Sequence, residues 1–466
     1  METALTKEAY QLMHNGILAL SRAEQQGFII DLEYCMRKKM QLTKKIELLE
    51  NDFKATQFYR HWLHAKVGSL PNIYSNKQLG WFLYNIKKIE IAKQTASGEG
   101  ATDEEALSQL GIPELDILLQ IRKLKKIRDT YLESFIREQV DGVIHPIYNL
   151  HTVKTFRGSC DSPNFQNIPK RDKEAMQICR KALKPRKGHL LMEADFSGIE
   201  VRIAACYHKD PTMIKYITDP SSDMHGDMAA QIFCVKNFDR HISTHKYLRQ
   251  AAKNGFVFPQ FYGDYYKSCA VNLVCKWGKL PEGKWKKGQG VLVSDNPELF
   301  LSDHLISCGF KSLDSFTEHL KKIEKDFWEK RFPVYNKWKE DHWVKYQKNG
   351  YVELKTGFRC KGIMSRNDAI NYPVQGAAFH CLLWSLIEVD KKLMEMNFDT
   401  RIIGQIHDAI VLDVAENEYN EVVSLIHKII CKELPNHFKW INVPMEIEIE
   451  AAPVDASWAD VAEVKN

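Results

Sequence analysis

Helical periodicity dominates the first third of the chain. From about Lys7 to Ile136 apolar residues recur at helical spacing between charged ones, as in "YCMRKKMQLTKKIELLENDF" and "ELDILLQIRKLKKIRDTYLESFI", which predicts long amphipathic helices. Between these two segments lies "KQTASGEGATDEE", Lys93 to Glu105, rich in Gly, Ser and Thr and ending in the N-capping types Thr102 and Asp103. The pattern is that of an antiparallel helical arm with a loop at its tip. From about Val140 the texture changes to short strands and loops, and then the apolar run "HLLMEA" leads into Asp195. A helix-rich block follows. After Thr400 strands return in "IIGQIHDAIVLDV" and, beyond a helix near Glu418 to Leu434, in the alternating "VPMEIEIEAA". Sheet residues therefore come from two distant parts of the chain, with a helical block inserted between them, and no internal repeat is evident.

"IIGQIHDAIVLDV" poses the sharpest question. Apolar, largely β-branched residues that favour buried strands flank His407 and Asp408, and nothing nearby in sequence neutralises the aspartate. A buried carboxylate without a partner is costly. Either the pair forms a solvated turn, or a positive charge comes to meet Asp408.

The bulk numbers bound the answer without giving it. A chain of 466 residues suits two or three subdomains around a large core. Its 44% hydrophobic and 27% charged content is ordinary for a globular protein, and no apolar run is long enough to span a membrane. The polar, mixed-charge N-terminus resembles neither a signal peptide nor a transit sequence, so an intracellular, cytoplasmic protein with no membrane contact is expected. Eleven cysteines are scattered singly, without a C-x-x-C pair, which argues against structural zinc and for reduced thiols. The net charge of +5 says little by itself. Local runs such as Arg122, Lys123, Lys125, Lys126 and Arg128 are by default solvated helix faces, with a phosphate backbone as the other reading.

Three segments carry candidate chemistry. In "LLMEADFSGIEVRIAA" an apolar strand ends at Asp195, which puts a carboxylate at a strand's carboxyl end. Ser197 and Glu200 have S-x-x-E spacing, so spacing alone favours a capping box for Glu200 over a substrate contact. If the strands carrying Asp195 and Asp408 are neighbours, their carboxylates converge, and divalent cations relieve the repulsion. Two metals about 3.5 to 4 Å apart can serve phosphoryl transfer. Mg²⁺ suits such a site because it prefers hard oxygen ligands and needs only one or two carboxylates. In "HKYLRQAAKNGFVFPQFYGDYY", Arg249 and Lys253 share a helical face, which is either a basic surface or a grip for an anion such as a triphosphate. Phe256, Phe258, Phe261 and Tyr262 follow, as core or as surfaces for bases to stack on.

Taken together and in this order, the segments resemble family A DNA polymerases, the group of bacterial DNA polymerase I and its phage relatives. "DFSGIEVR" is similar to the first palm motif, "RQAAKNGFVFPQFYG" to the fingers-helix motif and "QIHDAIVLDV" to the second palm motif. "TFRGSCDSPNFQNIP" and "INYPVQGAA" match two lesser signatures ahead of the first and second palm motifs. The resemblance runs from "EQQGFIID" to "PMEIEIEAAPVDASW". It implies an α+β, right-hand fold: an N-terminal segment and helical thumb over 1–145, an antiparallel-sheet palm over 146–205 and 396–466, and helical fingers over 206–395 with an insertion near 275–310. No proofreading exonuclease is expected within this chain.

The resemblance also implies roles. Asp195 and Asp408 would be catalytic and hold two Mg²⁺ ions, with the Phe196 carbonyl as a further ligand and Mn²⁺ as a substitute ion. Arg249 and Lys253 would grip the triphosphate of a dNTP, with His225 nearby and with Phe256 or Phe258 under the sugar. Glu200 would help to exclude a ribose 2′-hydroxyl. Arg157, Asn164, Gln166, Tyr262, Gln375 and His407 would contact primer and template DNA. The implied activity is template-directed extension of a primer 3′-hydroxyl in replication or repair, in company with replication proteins. The alternatives are a single-subunit RNA polymerase-like enzyme and a catalytically silent DNA-binding scaffold.

Three departures from the family pattern matter. The family usually has Gln where this chain has Gly198, and Glu where it has Ala409. The loss of that Glu removes a secondary carboxylate and predicts slower or differently tuned chemistry. The interval from Lys253 to Tyr262 is one residue longer than usual and contains Pro259, which should kink or bulge a helix. In the apparent insertion, "CKWGKLPEGKWKKGQG" interleaves lysines with Trp277 and Trp285, as a template or partner contact or as a loop with its tryptophans tucked onto the fingers.

Overall fold

The structure, a computed structural model, describes residues 4–65, 69–91, 94–95, 97–108, 110–170, 172–295 and 297–464. Of the predicted tip loop, Lys93 and Ala96 lie outside the described residues. Among the described residues, no helix is long and apolar enough to cross a membrane.

A five-stranded antiparallel sheet organises the molecule. Its strands are β1 (His189–Phe196), β2 (Arg401–Ile406), β3 (Ala409–Ala415), β4 (Ile447–Ala451) and β5 (Ala462–Glu463), in the order β2-β3-β1-β4-β5. The central strand β1 is buried along nearly its whole length, as its continuous apolar run requires. Within it the buried Glu193 is answered by a buried ion pair with Arg180, whose guanidinium lies 4.2 Å from the centre of the Trp458 ring. On one side β1 pairs with β3, in a register that sets Asp195 opposite Ala409 and His189 opposite Ala415. On the other it pairs with β4, with Phe196 opposite Ile447. The sheet thus joins two parts of the chain separated by the whole helical block.

Helix α1 (Lys7–Gln26), capped by Thr6, buries the stripe Ala9, Leu12, Met13, Gly16, Ala19, Leu20 and Ala23. This face packs on β2 and on a long helix described below, not in the arm. A Cβ added at Gly16 would lie 2.8 Å from a methyl of Leu383, so the two helices cross in close contact. The arm itself starts at α2 (Leu32–Ala55), capped by Asp31, and returns through α3 (Pro113–Lys126), with proline at its start. Leu42, Ile46 and Phe53 share one apolar cluster with Leu118, Ile121 and Leu124. Most of the basic residues of α3 are answered locally. Lys123 pairs with Asp172 and Glu174 at 2.8 and 3.0 Å, Lys125 with Asp129 at 3.0 Å, and Arg122 donates to the Thr102 carbonyl at 2.8 Å.

Between β1 and β2 the chain forms the helical block. It contains α4 (Ile199–His208), α5 (Met224–Ile232), α6 (Ser243–Ala252) and the 30-residue α7 (Arg366–Glu395). In the Lys/Trp segment, Trp285 is buried beside Phe316 and donates its ring N–H to the Pro281 carbonyl at 2.9 Å. Trp277 packs half-buried on Tyr247, with ring centres 5.6 Å apart. The two indoles hold the segment to the helical block and are not presented for stacking, while Lys276, Lys279, Lys284, Lys286 and Lys287 stay exposed.

Candidate active site

The β2–β3 hairpin closes through His407 and Asp408, with His407 at φ 54°, in the left-handed region. Burial of the flanking strands forces the two polar residues to the turn. The Phe196 N–H donates to the Asp408 carbonyl at 3.1 Å, so main-chain bonding fastens the turn to the end of β1 beside Asp195. Both aspartate side chains keep 35% of their exposure. Burial, opposed by Arg157 and reinforced by Glu200 and Asp195, pushes the Asp408 carboxyl up to about 6. Its negative charge is therefore under-compensated.

Two cations approach this pair. Lys170 Nζ lies 3.1 Å from Asp195 Oδ2. Arg157 sits 3.9 Å from Asp408 and 3.4 Å from Glu200. Among the described residues no group of three or more His, Cys, Asp or Glu side chains is placed to hold a metal. Asp195 at the end of β1, Asp408 on the hairpin turn and the Phe196 carbonyl offer hard-oxygen donors of the kind Mg²⁺ takes alongside water and phosphate, with the exposed Glu448 opposite Asp195 on β4.

The expected capping box does not form. Gly198 stands at the start of α4 with φ 59° and ψ 41°, and no side chain caps the helix. That left-handed conformation favours glycine over a residue with a side chain and gives Gly198 a backbone reason. Glu200 is released from capping. Its carboxylate accepts from the Tyr262 hydroxyl and pairs with Arg157, so it faces the cleft.

Helix α6 runs into a wide turn over Lys253–Val257, in which the Phe258 N–H donates to the Lys253 carbonyl five residues back. A wide turn of this kind takes up one residue more than an α-helical turn, which accommodates the longer interval before Tyr262. Its consequence is a sorting of the phenylalanines. Of the two candidates for the place under a nucleotide sugar, Phe256 is fully buried against Phe327, 5.4 Å away, and is not part of the cleft wall. Phe258 lines the cleft instead, with Lys253 Nζ 5.2 Å from its ring centre and the His225 ring edge-on at 5.7 Å. Burial, together with the charges of Arg249 and Lys253, pushes His225 down to about 4, so the imidazole is neutral at physiological pH. Arg249 donates to Asp223 at 2.7 Å, and Asp223 also caps α5.

These elements enclose a cleft of about 590 Å³, walled by Arg157, Lys170, Glu200, Phe258, Tyr262, His407 and Asp408 among others. Of the other expected contacts, Gln166 donates to the Gln405 side chain at 3.3 Å and so braces the hairpin. Asn164 is exposed ahead of a single helical turn, and Gln375 is half-buried on α7. Neither belongs to the cleft wall. Sequence reasoning missed Lys170, Asp223 and Asn371, whose amide donates to the Tyr262 carbonyl at 3.5 Å. Only Asp223 carried a local signal, as a capping residue ahead of "MHGDMAAQI".

The family model described as DNA polymerase family A matches residues 39–277 and 313–460, passing over 278–312. The chain is 26% identical to DNA polymerase I of Lactococcus lactis subsp. lactis (strain IL1403) over 440 residues, 91% of this chain and 45% of that protein. It is 28% identical to DNA polymerase I of Aquifex aeolicus (strain VF5) over 425 residues, 89% and 63% of the two chains. It is 24% identical to the DNA polymerase of Bacillus phage SP01 over 417 residues, 84% and 40%. The chain thus spans about half the length of these relatives. In fold it is similar to the POL domain of Pol1 from M. smegmatis, solved in complex with DNA primer-template and dNTP. The TM-score is 0.73 at 23% identity, over 96% of this chain and 70% of that one.

Proposed function

The chain belongs to DNA polymerase family A, and on that premise we propose that it is a template-directed DNA polymerase that extends a primer 3′-hydroxyl with dNTPs. The observation that carries this reading is the apposition of Asp408, on the hairpin turn, with Asp195, at the end of the adjoining strand, at the edge of a cleft walled by Glu200, Phe258 and Tyr262. In this reading the arm is the thumb, the five-stranded sheet the palm and the helical block the fingers.

Each residue then has a task that follows from its surroundings. Asp195, Asp408 and the Phe196 carbonyl would hold two Mg²⁺ ions, which when bound supply the charge that activates the attacking oxygen and stabilises the leaving one. Lys253, whose ammonium lies 5.2 Å from the Phe258 ring, and Arg249, now held by Asp223, would grip the triphosphate, and neutral His225, with its Nδ1 unpartnered, would offer a hydrogen bond without adding repulsion. Phe258 gives the sugar and base a flat apolar floor. Glu200, held by Tyr262 and Arg157, presents a carboxylate where a ribose 2′-hydroxyl would enter. Arg157, Gln166 and His407 flank the hairpin on the side left for the primer terminus. Glu200 is held by Tyr262 and Arg157 before substrate arrives, which lowers the reorganisation that sugar selection requires.

Primer extension tests the proposal. With Mg²⁺, all four dNTPs and a primed template, the protein should add the template-matched nucleotides, and no product should form in EDTA. Failure to extend, combined with retained DNA binding by Asp408→Asn, would establish the scaffold alternative. Equal use of rNTPs and dNTPs would favour the RNA polymerase-like reading.

A further inference from the structure

We propose that Lys170 competes with the catalytic cation for Asp195 and thereby sets how much divalent metal this centre requires. This inference rests on the polymerase reading and concerns its metal dependence. The ammonium of Lys170 lies 3.1 Å from Asp195 Oδ2, so the carboxylate that would ligate metal is already engaged by a cation. On the β3 side the residue directly across from Asp195 is Ala409, whose methyl group brings no carboxylate, and on the β4 side it is the exposed Glu448.

The local charge follows from the groups that face one another here. Asp195, Asp408 and Glu200 contribute negative charge, joined by Glu448 opposite Asp195 on β4 and by Glu450, which lies close enough to interact with Asp195 and Lys170, while Lys170 and Arg157 contribute positive charge. The nearby Glu193 and Arg180 cancel in their own buried pair. A divalent ion thus arrives at a cluster that is one unit more negative once Lys170 is removed or turned away.

The pair is built to open. The Lys170 side chain keeps 52% of its exposure and lines the cleft, so its ammonium can swing from Asp195 into solvent or toward a phosphate without becoming a buried, unpaired charge. A rigid buried pair would resist displacement, whereas a half-exposed one is screened and exchanges readily. Ala409 and Lys170 act in the same direction. Both reduce the negative charge available to metal compared with a site that carries a Glu at position 409.

The test is Mn²⁺ binding to the full chain without DNA or nucleotide, followed by the electron paramagnetic resonance signal of the free ion. Lys170→Met, which keeps the length and removes the charge, should bind Mn²⁺ about three- to tenfold more tightly than wild type. Lys170→Arg should match wild type. The Mg²⁺ concentration for half-maximal primer extension should fall in Lys170→Met by a similar factor. Unchanged or weaker Mn²⁺ binding by Lys170→Met overturns the inference and leaves the polymerase reading standing, provided wild type extends primers and loses Mn²⁺ binding on Asp408→Asn. If wild-type Mn²⁺ binding is insensitive to Asp408→Asn and no primer is extended, both fail together.

Discussion

Replacing Asp408 by Asn should stabilise the metal-free protein at neutral and alkaline pH. The folded state raises this carboxyl from an ordinary 3.8 to about 6, chiefly through burial and through the charges of Glu200 and Asp195. A raised carboxyl means that the fold holds the proton more tightly than the unfolded chain does. This group therefore costs nothing at pH values below about 4, and its cost grows as pH rises through 6 and is constant above. A shift of about two units corresponds to about 3 kcal/mol. The side chain retains 35% exposure, so solvent screening reduces the expected figure to about 1–2 kcal/mol. Asn keeps the shape and removes the charge. Thermal melts in EDTA should place Asp408→Asn above wild type at pH 8, with the gap shrinking toward pH 4. Adding Mg²⁺ at pH 8 should raise the wild-type melting temperature and leave the variant nearly unmoved. A variant that melts at or below wild type at pH 8 in EDTA would refute the reasoning that the site stores uncompensated charge for a cation.

The remaining expectations separate packing from chemistry. Phe256→Ala should cost about 3–5 kcal/mol of stability, read as a large drop in melting temperature, because it empties a fully buried site. Phe258→Ala should melt close to wild type while its KM for dNTP rises about tenfold, as expected for about 1–2 kcal/mol of lost ring contact; the reverse pattern would contradict the assignment of the two rings. Glu200→Ala should narrow the preference for dNTP over rNTP by about tenfold or more in competition assays, and an unchanged ratio would remove Glu200 from sugar selection. Arg180→Met should destabilise by about 3–5 kcal/mol, because it leaves Glu193 buried without its cation. Combining it with Glu193→Gln should recover part of that loss, as measured by denaturant midpoint.

Much of this architecture is legible in the sequence because period and burial leave few options. The apolar flanks of "IIGQIHDAIVLDV" can only be neighbouring buried strands with His407 and Asp408 at the turn, and the run before Asp195 can only be a central strand. Other features depend on tertiary contacts that no local pattern carries. The stripe on α1 is equally amphipathic whether it faces the arm or the sheet, and only the close contact of Gly16 with Leu383 decides. The S-x-x-E spacing of Ser197 and Glu200 is that of a capping box, yet the left-handed backbone at Gly198 diverts the carboxylate into the cleft. The wide turn after Lys253 changes which phenylalanine faces the substrate side, a rotation that aligned motifs do not register. Lys170 lies just past the signature stretch that ends at Pro169, and only the fold brings its ammonium to Asp195.

The central claim is that Asp195 and Asp408 perform the chemistry and the rest of the chain holds primer, template and nucleotide around them. Single-turnover incorporation of a matched dNTP in Mg²⁺, with primer-template affinity measured on the same preparations, tests it most directly. The account predicts that Asp408→Asn and Asp195→Asn each lose incorporation by about a thousandfold or more while DNA affinity stays within a few-fold of wild type. Incorporation that survives both substitutions at near wild-type rates would contradict it.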